Sequence, residues 1–281
     1  MSQLHERLAH ARRALVDAGI DPAEAAIDVE VLARHALNWD RARLLTALRD
    51  PTPPGLDPSF ESMLRRRLAR EPVAYIVGHR EFWGHEFAVS PAVLVPRPET
   101  EIIVEEALDE AKRGRGVGTI VDVGTGSGCL AVTLALELPR ARVIATDVSP
   151  AALEVARANA ARLGADVTFV ECNLLDGFEG RADLIVSNPP YVPETLAGSL
   201  PPDVARYEPH GALFGGHDGF AVIRRLFTTA APRLAEEGRL VVEFGFGQEA
   251  DIRALAAAAG WQVDRIRTDL QGIPRTAVLR R

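Results

Sequence analysis

The first 70 residues place apolar side chains at steps of three and four, which is the period of an α-helix. An aspartate followed by a proline and an early glutamate is typical of a helix N-terminus, and Asp21 begins such a segment. Glycine and proline residues separate the periodic segments. The pattern predicts four helices, at residues 4–18, 22–35, 41–48 and 58–70.

The period changes after residue 72. Residues 73–77 and 86–89 are short runs rich in β-branched and aromatic side chains, flanked by glycine and proline, which is typical of strands. A helix is predicted at residues 98–112. These changes predict a helical domain at residues 1–71, a β-containing connector at 72–98 and a third region at 99–281.

From residue 119 onward, strand-like and helix-like segments alternate with short connections. The predicted strands are residues 119–123, 142–146, 167–170, 183–186, 239–244, 262–266 and 276–279. The predicted helices are residues 129–138, 150–163, 221–237 and 248–259. This alternation predicts the α/β class, with a parallel sheet covered by helices on both faces. Such a sheet binds ligands beyond the carboxyl ends of its strands, so chemistry is expected there.

The first of these strands runs into a turn of candidate ligand-binding residues: Gly124, Thr125, Gly126, Ser127 and Gly128. Glycine at alternate positions lets the backbone turn sharply and approach a ligand, and the helix that follows directs its first amides to the same place. The G-x-G-x-G spacing differs from the dinucleotide fingerprint G-x-G-x-x-G, and the turn lacks the GK[ST] of a phosphate loop. The turn alone does not specify the ligand.

Asp147 ends the next strand, at the spacing from which a carboxylate reaches the hydroxyl pair of a ribose. A carboxylate accepts two hydroxyl hydrogen bonds and repels a nearby phosphate. Together with the glycine turn, Asp147 indicates an adenosyl ligand whose other end need not be a pyrophosphate. The alternative is a helix N-cap, which either Asp147 or Ser149 could supply.

The strand at residues 183–187 runs directly into Asn188, Pro189, Pro190 and Tyr191. The prolines stiffen this loop, so the Asn188 side-chain oxygen and a main-chain carbonyl, that of Pro189, can face one point. Two acceptors held in this way suit a planar NH₂ group, and Tyr191 offers a flat surface for stacking. The alternative is an ordinary proline turn.

These features resemble the class I S-adenosylmethionine-dependent methyltransferases, in the branch that methylates exocyclic or amide nitrogen through an Asn-Pro-Pro-Tyr loop. Further segments look like the PrmC/HemK family, and with them the resemblance covers nearly the whole chain. These segments are residues 71–78, 81–84, 95–101 and 269–275.

The resemblance implies methyl transfer from S-adenosylmethionine, leaving S-adenosylhomocysteine, to the glutamine amide nitrogen in the Gly-Gly-Gln motif of peptide chain release factors. It implies that the helical domain docks this protein substrate. It assigns the cofactor to the glycine turn, Asp147 and Asn188, and the substrate to residues 188–191, with Asn188, Pro189 and Tyr191 as catalytic. After the third strand, the family often has an acidic and then a hydrophobic residue near the adenine. This chain has Glu171-Cys172-Asn173 there, and Asn173 is the expected adenine contact.

The charge balance bears on the alternative functions. The 281 residues include 32 basic and 39 acidic side chains, a formal net charge of −7, and all of the excess lies beyond residue 71. An amino methyltransferase acting on adenine or guanine, the main alternative, needs a basic groove, so no direct nucleic acid contact is expected. A nucleotide-binding dehydrogenase requires another glycine spacing, whereas a non-catalytic adenosyl sensor stays open.

Metal and membrane functions lack the corresponding patterns. The two cysteines form no CxxC pair, and the seven histidines show neither HExxH nor HxH spacing, so no metal is expected. No secretory signal is visible at the N-terminus, and no apolar run approaches the roughly 20 residues that span a bilayer. The expected location is the cytoplasm.

Overall fold

The computed structural model describes residues 3–115 and 117–281, with residues 114 and 115 described by their backbone alone. The described α-helices are α1 (Leu4–Asp17), α2 (Pro22–Leu37), α3 (Arg41–Thr46), α4 (Asp57–Leu68), α5 (Val73–Val77), α6 (Glu101–Glu110), α7 (Cys129–Glu137), α8 (Pro150–Leu163), α9 (Pro202–Tyr207), α10 (His210–Leu213), α11 (Ala221–Ala230) and α12 (Glu249–Ala258). The described strands are β1 (His79–Phe82), β2 (His85–Ala88), β3 (Thr119–Val123), β4 (Arg142–Asp147), β5 (Val167–Glu171), β6 (Ala182–Ser187), β7 (Leu234–Glu243), β8 (Gln262–Thr268) and β9 (Pro274–Arg280).

The described residues form two compact units. The first, which we call the helical unit, comprises the chain up to Gly78 together with Pro201–Tyr207. The second, the sheet unit, comprises His79–Leu200 and Glu208–Arg281. No described helix combines the length and the apolar character that crossing a membrane requires.

The helical unit packs its helices around one apolar core, which includes Leu4, Leu15, Leu32, Phe60 and Ile76. The predicted start of α2 is confirmed, because the Asp21 side chain accepts hydrogen bonds from two backbone amides of the first turn. Beside the core, Arg67 is only 1% exposed and donates from Nε to Asp28 Oδ2 over 2.6 Å. A buried ion pair therefore lies inside the unit that the sequence predicts as a simple helical domain.

The strand predicted at residues 73–77 is wrong, since this segment is the short helix α5. Pro72 precedes its first turn and accepts from the amide of Tyr75, while the amide of Gly78 donates to Ala74. A proline at the start and a glycine at the end favour a helical turn over the β preference of the side chains between them. The strand predicted at 86–89 is found one residue earlier, as β2, paired antiparallel with β1.

The sheet unit is built on a sheet of seven described strands in the order β5–β4–β3–β6–β7–β9–β8. Neighbours from β5 to β7 are parallel, as predicted. The parallel pairing ends at β7, because β9 is antiparallel to both β7 and β8. The turn at residues 269–273 joins β8 to β9 directly and is too short for the crossover that a parallel pair needs.

Apolar cores lie on both faces of this sheet, which confirms the predicted layering. One core includes residues of α11 and α12, among them Phe227 and Ile252. The other includes residues of α6, α7 and the β1–β2 hairpin, among them Val104, Leu134 and Phe87. The carboxyl ends of β3, β4 and β6 are left for the loops that follow them.

The helix predicted at residues 221–237 ends early. Helix α11 stops at Ala230, a single 3₁₀ turn follows, and Leu234 already begins β7. The reason is Pro232, which has no amide hydrogen and cannot donate the hydrogen bond that would continue α11, while Ala231 before it keeps helical backbone angles. Strand β7 therefore starts five residues earlier than predicted and pairs Leu234 with Ala182 at the start of β6.

Candidate active site

A cavity of about 390 Å³ lies where β3, β4 and β6 end. Most of its lining is apolar, and its charged lining residues within the described chain are Arg97, Asp147 and Arg225. The lining also includes eight of the residues that the sequence predicts for the site: Gly124, Thr125, Gly126, Ser127, Asp147, Asn173, Asn188 and Pro190. Three strand ends that are distant in sequence therefore meet at one cavity, as expected for this kind of sheet.

The glycine turn presents backbone to the cavity. Gly124 and Gly126 have φ values of +75° and +56°, which side chains other than glycine rarely adopt. A Cβ on either residue would meet nothing within 4 Å, so it would project into open space. Gly128, which does not line the cavity, packs instead against α8, where a Cβ would lie 3.0 Å from that of Ala156.

Asp122, near the end of β3, is hydrogen-bonded to the glycine turn and to the start of the helix that follows it. Its Oδ2 accepts from the Thr125 hydroxyl at 2.6 Å and from the Ala131 amide at 3.2 Å. Burial raises the pKa of Asp122 to about 7, although these two hydrogen bonds act in the opposite direction. The carboxyl thus joins the turn to the first residues of α7.

Asp147 holds the glycine turn against the start of α8. Its Oδ2 accepts from the Gly126 amide and its Oδ1 from the Ser149 amide, each at 2.9 Å. The cap of α8 is Ser149, whose hydroxyl accepts from the Ala152 amide, so the N-cap alternative for Asp147 is wrong. Because each carboxylate oxygen has two acceptor positions, Asp147 can still accept two hydroxyl groups.

Asn173 follows β5 and lines the cavity beside Leu174. Its side chain is exposed, and the Leu174 carbonyl accepts from the Thr146 hydroxyl at 2.8 Å, which fixes the loop to the end of β4. The predicted adenine contact therefore lies at the cavity, and its role stays a prediction.

Asn188 lies at the other side of the cavity with its amide nitrogen engaged. Nδ2 donates to Thr100 Oγ1 at 2.9 Å, and the Thr100 hydroxyl donates to Glu243 Oε2 at 2.7 Å. In the described part of the chain no group donates to Asn188 Oδ1, which stays available as an acceptor. This is the hydrogen-bonding capacity that the sequence predicts for the loop.

The loop around Asn188 is held by more than its prolines. Gln248 donates from Nε2 to the Tyr191 carbonyl at 2.9 Å, and its Oε1 accepts from the Gly245 amide at 2.8 Å. Gly219 also approaches closely, since a Cβ there would lie 2.5 Å from the Tyr191 carbonyl oxygen. The segments after β7 and before α11 therefore fix the loop from two directions.

Tyr191 and Pro189 do not line the cavity. The Tyr191 hydroxyl lies 3.3 Å from Glu243 Oε1, to which it donates, and the pKa of this phenol is raised by burial and by the nearby carboxyl. The phenol ring predicted as a stacking surface is therefore hydrogen-bonded to Glu243 through its hydroxyl. The catalytic assignments of Tyr191 and Pro189 stay predictions.

Sequence reasoning did not select Arg97, Thr100 or Glu243. Arg97 lines the cavity and donates from Nη2 to Glu208 at 2.5 Å. Burial raises the pKa of Glu243 to about 7, against the hydrogen bonds from Thr100 and Tyr191. Arg97 and Thr100 lie in the segment at 95–101, and Glu243, like Asp147, is an acidic residue at a strand end, but no local pattern indicates that Thr100 and Glu243 meet.

The described residues contain no group of three or more histidine, cysteine, aspartate or glutamate side chains arranged to hold a metal ion.

Residues 6–78 match the family described as PrmC N-terminal domain, and residues 100–198 match the methyltransferase small domain. A release factor glutamine methyltransferase of Koribacter versatilis is 42% identical over 263 residues, 93% of this chain and 93% of that protein. One of Cereibacter sphaeroides is 45% identical over 276 residues, 96% of each chain.

Among solved structures, a methyltransferase from Pyrococcus furiosus is similar over 78% of this chain and 98% of its own, with a TM-score of 0.52. At 20% identity this similarity concerns the fold alone. The sequence matches over almost the full length decide the family. This chain belongs to the release factor glutamine methyltransferase family.

Proposed function

We propose that this chain transfers a methyl group from S-adenosylmethionine to the side-chain amide nitrogen of the glutamine in the Gly-Gly-Gln motif of peptide chain release factors. The relatives named for this activity cover nearly the whole chain. The observation that carries the proposal is Asn188, which lines the cavity with its nitrogen bound to Thr100 and its oxygen available. A fixed acceptor at this position suits a substrate NH₂ group.

The residues around the cavity fit the cofactor. The turn at Gly124 and Gly126 leaves open space where side chains would otherwise project, so a ligand can lie against the backbone. Asp147 keeps acceptor positions for a hydroxyl pair, and the apolar lining suits the adenine ring. We propose that the turn, Asp147 and Asn173 hold S-adenosylmethionine and afterwards the product S-adenosylhomocysteine.

The reaction needs positioning more than a strong base. An amide nitrogen is a weak nucleophile, because its lone pair is delocalised into the carbonyl. When bound, S-adenosylmethionine supplies an electrophilic methyl group on a sulfonium. Asn188 Oδ1 accepts a hydrogen bond from the substrate NH₂, which holds the nitrogen in line and favours the positive charge that grows on it. The Pro189 carbonyl is the proposed second acceptor, and the proton released from nitrogen passes to water.

The helical unit is proposed to dock the release factor, and the chain is proposed to act in the cytoplasm, where release factors work. The match of residues 6–78 to the PrmC N-terminal domain supports this proposal, because the domain accompanies the methyltransferase domain in this family. Binding of a release factor to the chain with and without the substitution of exposed residues on α1 and α2 would test the docking role.

The direct test incubates the enzyme with a labelled methyl donor and three acceptors: a release factor, the same factor with alanine in place of the Gly-Gly-Gln glutamine, and total cellular RNA with DNA. Label is expected on the first acceptor alone. Label on nucleic acid without label on the release factor would instead support an adenine or guanine amino methyltransferase. Binding of the donor without transfer to any acceptor would support an adenosyl sensor.

A further inference from the structure

We propose that Glu243, acting through Thr100, decides which end of the Asn188 side-chain amide faces the cavity, and so whether the site accepts or donates a hydrogen bond. This inference rests on the proposed function, in which Asn188 has to accept. Glu243 and Thr100 are then positioning residues, since neither needs to touch the substrate.

The direction of the hydrogen bonds follows from the number of hydrogens available. An ionised carboxylate only accepts, and a hydroxyl carries one hydrogen. The Thr100 hydroxyl donates its one hydrogen to Glu243 Oε2, so toward Asn188 it can only accept a hydrogen bond. Only the NH₂ end of the Asn188 amide can donate this hydrogen bond, and Nδ2 lies 2.9 Å from Thr100 Oγ1. The oxygen end is thereby excluded from Thr100.

The same carboxylate also holds the far end of the substrate loop. The Tyr191 hydroxyl donates to Glu243 Oε1, so the first and last residues of the Asn-Pro-Pro-Tyr loop are tied to one side chain. Glu243 is 1% exposed and Thr100 is 2% exposed, which removes competing hydrogen bonds from solvent. A buried network of this kind fixes one orientation when every member has its partner.

Protonation of Glu243 would release this orientation. A protonated carboxyl can donate to Thr100, whose own hydrogen can then go to Asn188 Oδ1. The NH₂ end of Asn188 would face the cavity and oppose the NH₂ group of the substrate. Burial raises the pKa of Glu243 to about 7, so both states lie within reach of ordinary conditions. Other titratable and charged groups act on Glu243. Glu99 raises its pKa, whereas Tyr191 and Arg275 lower it. Glu243 in turn raises the pKa of the Cys129 thiol.

The first test measures turnover in three variants. Thr100→Val keeps the shape but removes the hydroxyl, and we expect kcat to fall about tenfold, less than for loss of Asn188 itself, with the KM for S-adenosylmethionine unchanged. Thr100→Ser keeps the hydroxyl and should restore most of kcat. Thr133→Val is the matched control, because Thr133 is buried in α7 and its hydroxyl has no partner in the described part of the chain. Equal kcat in all three variants would overturn the inference.

The second test needs no turnover, so it separates failure of this inference from failure of the proposed function. In ¹⁵N-labelled protein, the side-chain NH₂ of Asn188 is expected to exchange slowly with water, to exchange faster in Thr100→Val, and to change its chemical shift as pH passes through about 7. Glu243→Gln should abolish this pH dependence. Asp122→Asn, which removes the other buried carboxyl with a pKa of about 7, should leave it in place. Titration of the Asn188 amide that persists in Glu243→Gln, or that is lost only in Asp122→Asn, would contradict the proposal.

Discussion

In the helical unit, Asp28 is buried against the guanidinium of Arg67, whereas in the sheet unit Glu243 is buried against two hydroxyl groups. Burial raises the pKa of both carboxyls, but at Asp28 the charge of Arg67 and its hydrogen bond act in the opposite direction. Arg67 also donates to Glu24 at 2.5 Å. In the described part of the chain, no guanidinium donates to Glu243.

The two arrangements serve different purposes. An opposite charge favours the ionised form of a buried carboxyl, and the pair joins the elements that carry the two groups, here α2 and α4. A buried carboxyl that receives only neutral donors keeps two ionisation states near neutral pH, which is a property of functional sites. Comparing the two therefore separates a charge that we expect to stabilise the fold from one that we propose serves the chemistry.

Removal of Arg67 is expected to give the largest effect on stability. Arg67→Met leaves Asp28 buried without its partner, and we expect unfolding to become easier by about 3–5 kcal/mol. Urea denaturation measures this change, and the kcat of the remaining folded enzyme should be unaltered. Arg67→Met combined with Asp28→Asn should recover part of the loss. A loss below about 1 kcal/mol, typical of exposed ion pairs, would mean that this pair is not structural.

Removal of Asn188 is expected to give the largest effect on chemistry. Asn188→Ala should lower kcat by about 10²–10³, the scale of losing one preorganised group at the reacting atom. Thermal unfolding should change little, because Asn188 is only half-buried. Steady-state methyl transfer to a release factor gives the number. Full activity in this variant would remove Asn188 from the mechanism.

Glu243→Gln should stabilise the protein while it impairs the reaction. Because the folded-state pKa of Glu243 is raised to about 7, its contribution to stability is present at low pH and is lost as pH rises through that value. The variant should therefore gain about 3 kcal/mol over the wild type at pH 8, since the pKa is raised from 4.5 to about 7 and one pKa unit corresponds to about 1.4 kcal/mol, and it should gain little at pH 4. Thermal unfolding between pH 4 and 8 measures this. A variant less stable than the wild type at pH 8 would indicate a structural charge, as at Asp28.

The smallest effect is expected at Asp147, a half-buried carboxyl that lines the cavity. Asp147→Asn keeps the size but removes the charge, and we expect the affinity for S-adenosylhomocysteine to fall about tenfold, the scale of weakening one charged hydrogen bond. Calorimetry measures the Kd. An unchanged Kd would remove Asp147 from the cofactor site.

Residues that act through local chain geometry were predictable from sequence. The turn at residues 124–128, Asp147 and Asn188 each follow a strand directly, and the carboxyl ends of parallel strands converge on one site. No contact between distant segments is needed to find them. Their positions around the cavity were therefore accessible before the structure was known.

Residues that act through distant partners were not predictable in this way. Thr100 and Glu243 are 143 positions apart and meet because α6, which directly follows Thr100, packs against β7. Glu243 also accepts a hydrogen bond from the Tyr191 hydroxyl, and no local sequence pattern indicates this contact. The errors in the fold have a simpler source, since Pro232 lay inside a predicted helix and α5 was judged by the β preference of its side chains.

Methyl transfer to the release factor can be measured by mass spectrometry of its Gly-Gly-Gln peptide after incubation with the enzyme and S-adenosylmethionine. With the wild type we expect the addition of one methyl group, located by fragmentation on the glutamine side chain, and with Asn188→Ala we expect the same product to form only slowly. An unmodified glutamine with the wild type, or equal methylation by both proteins, would contradict this expectation.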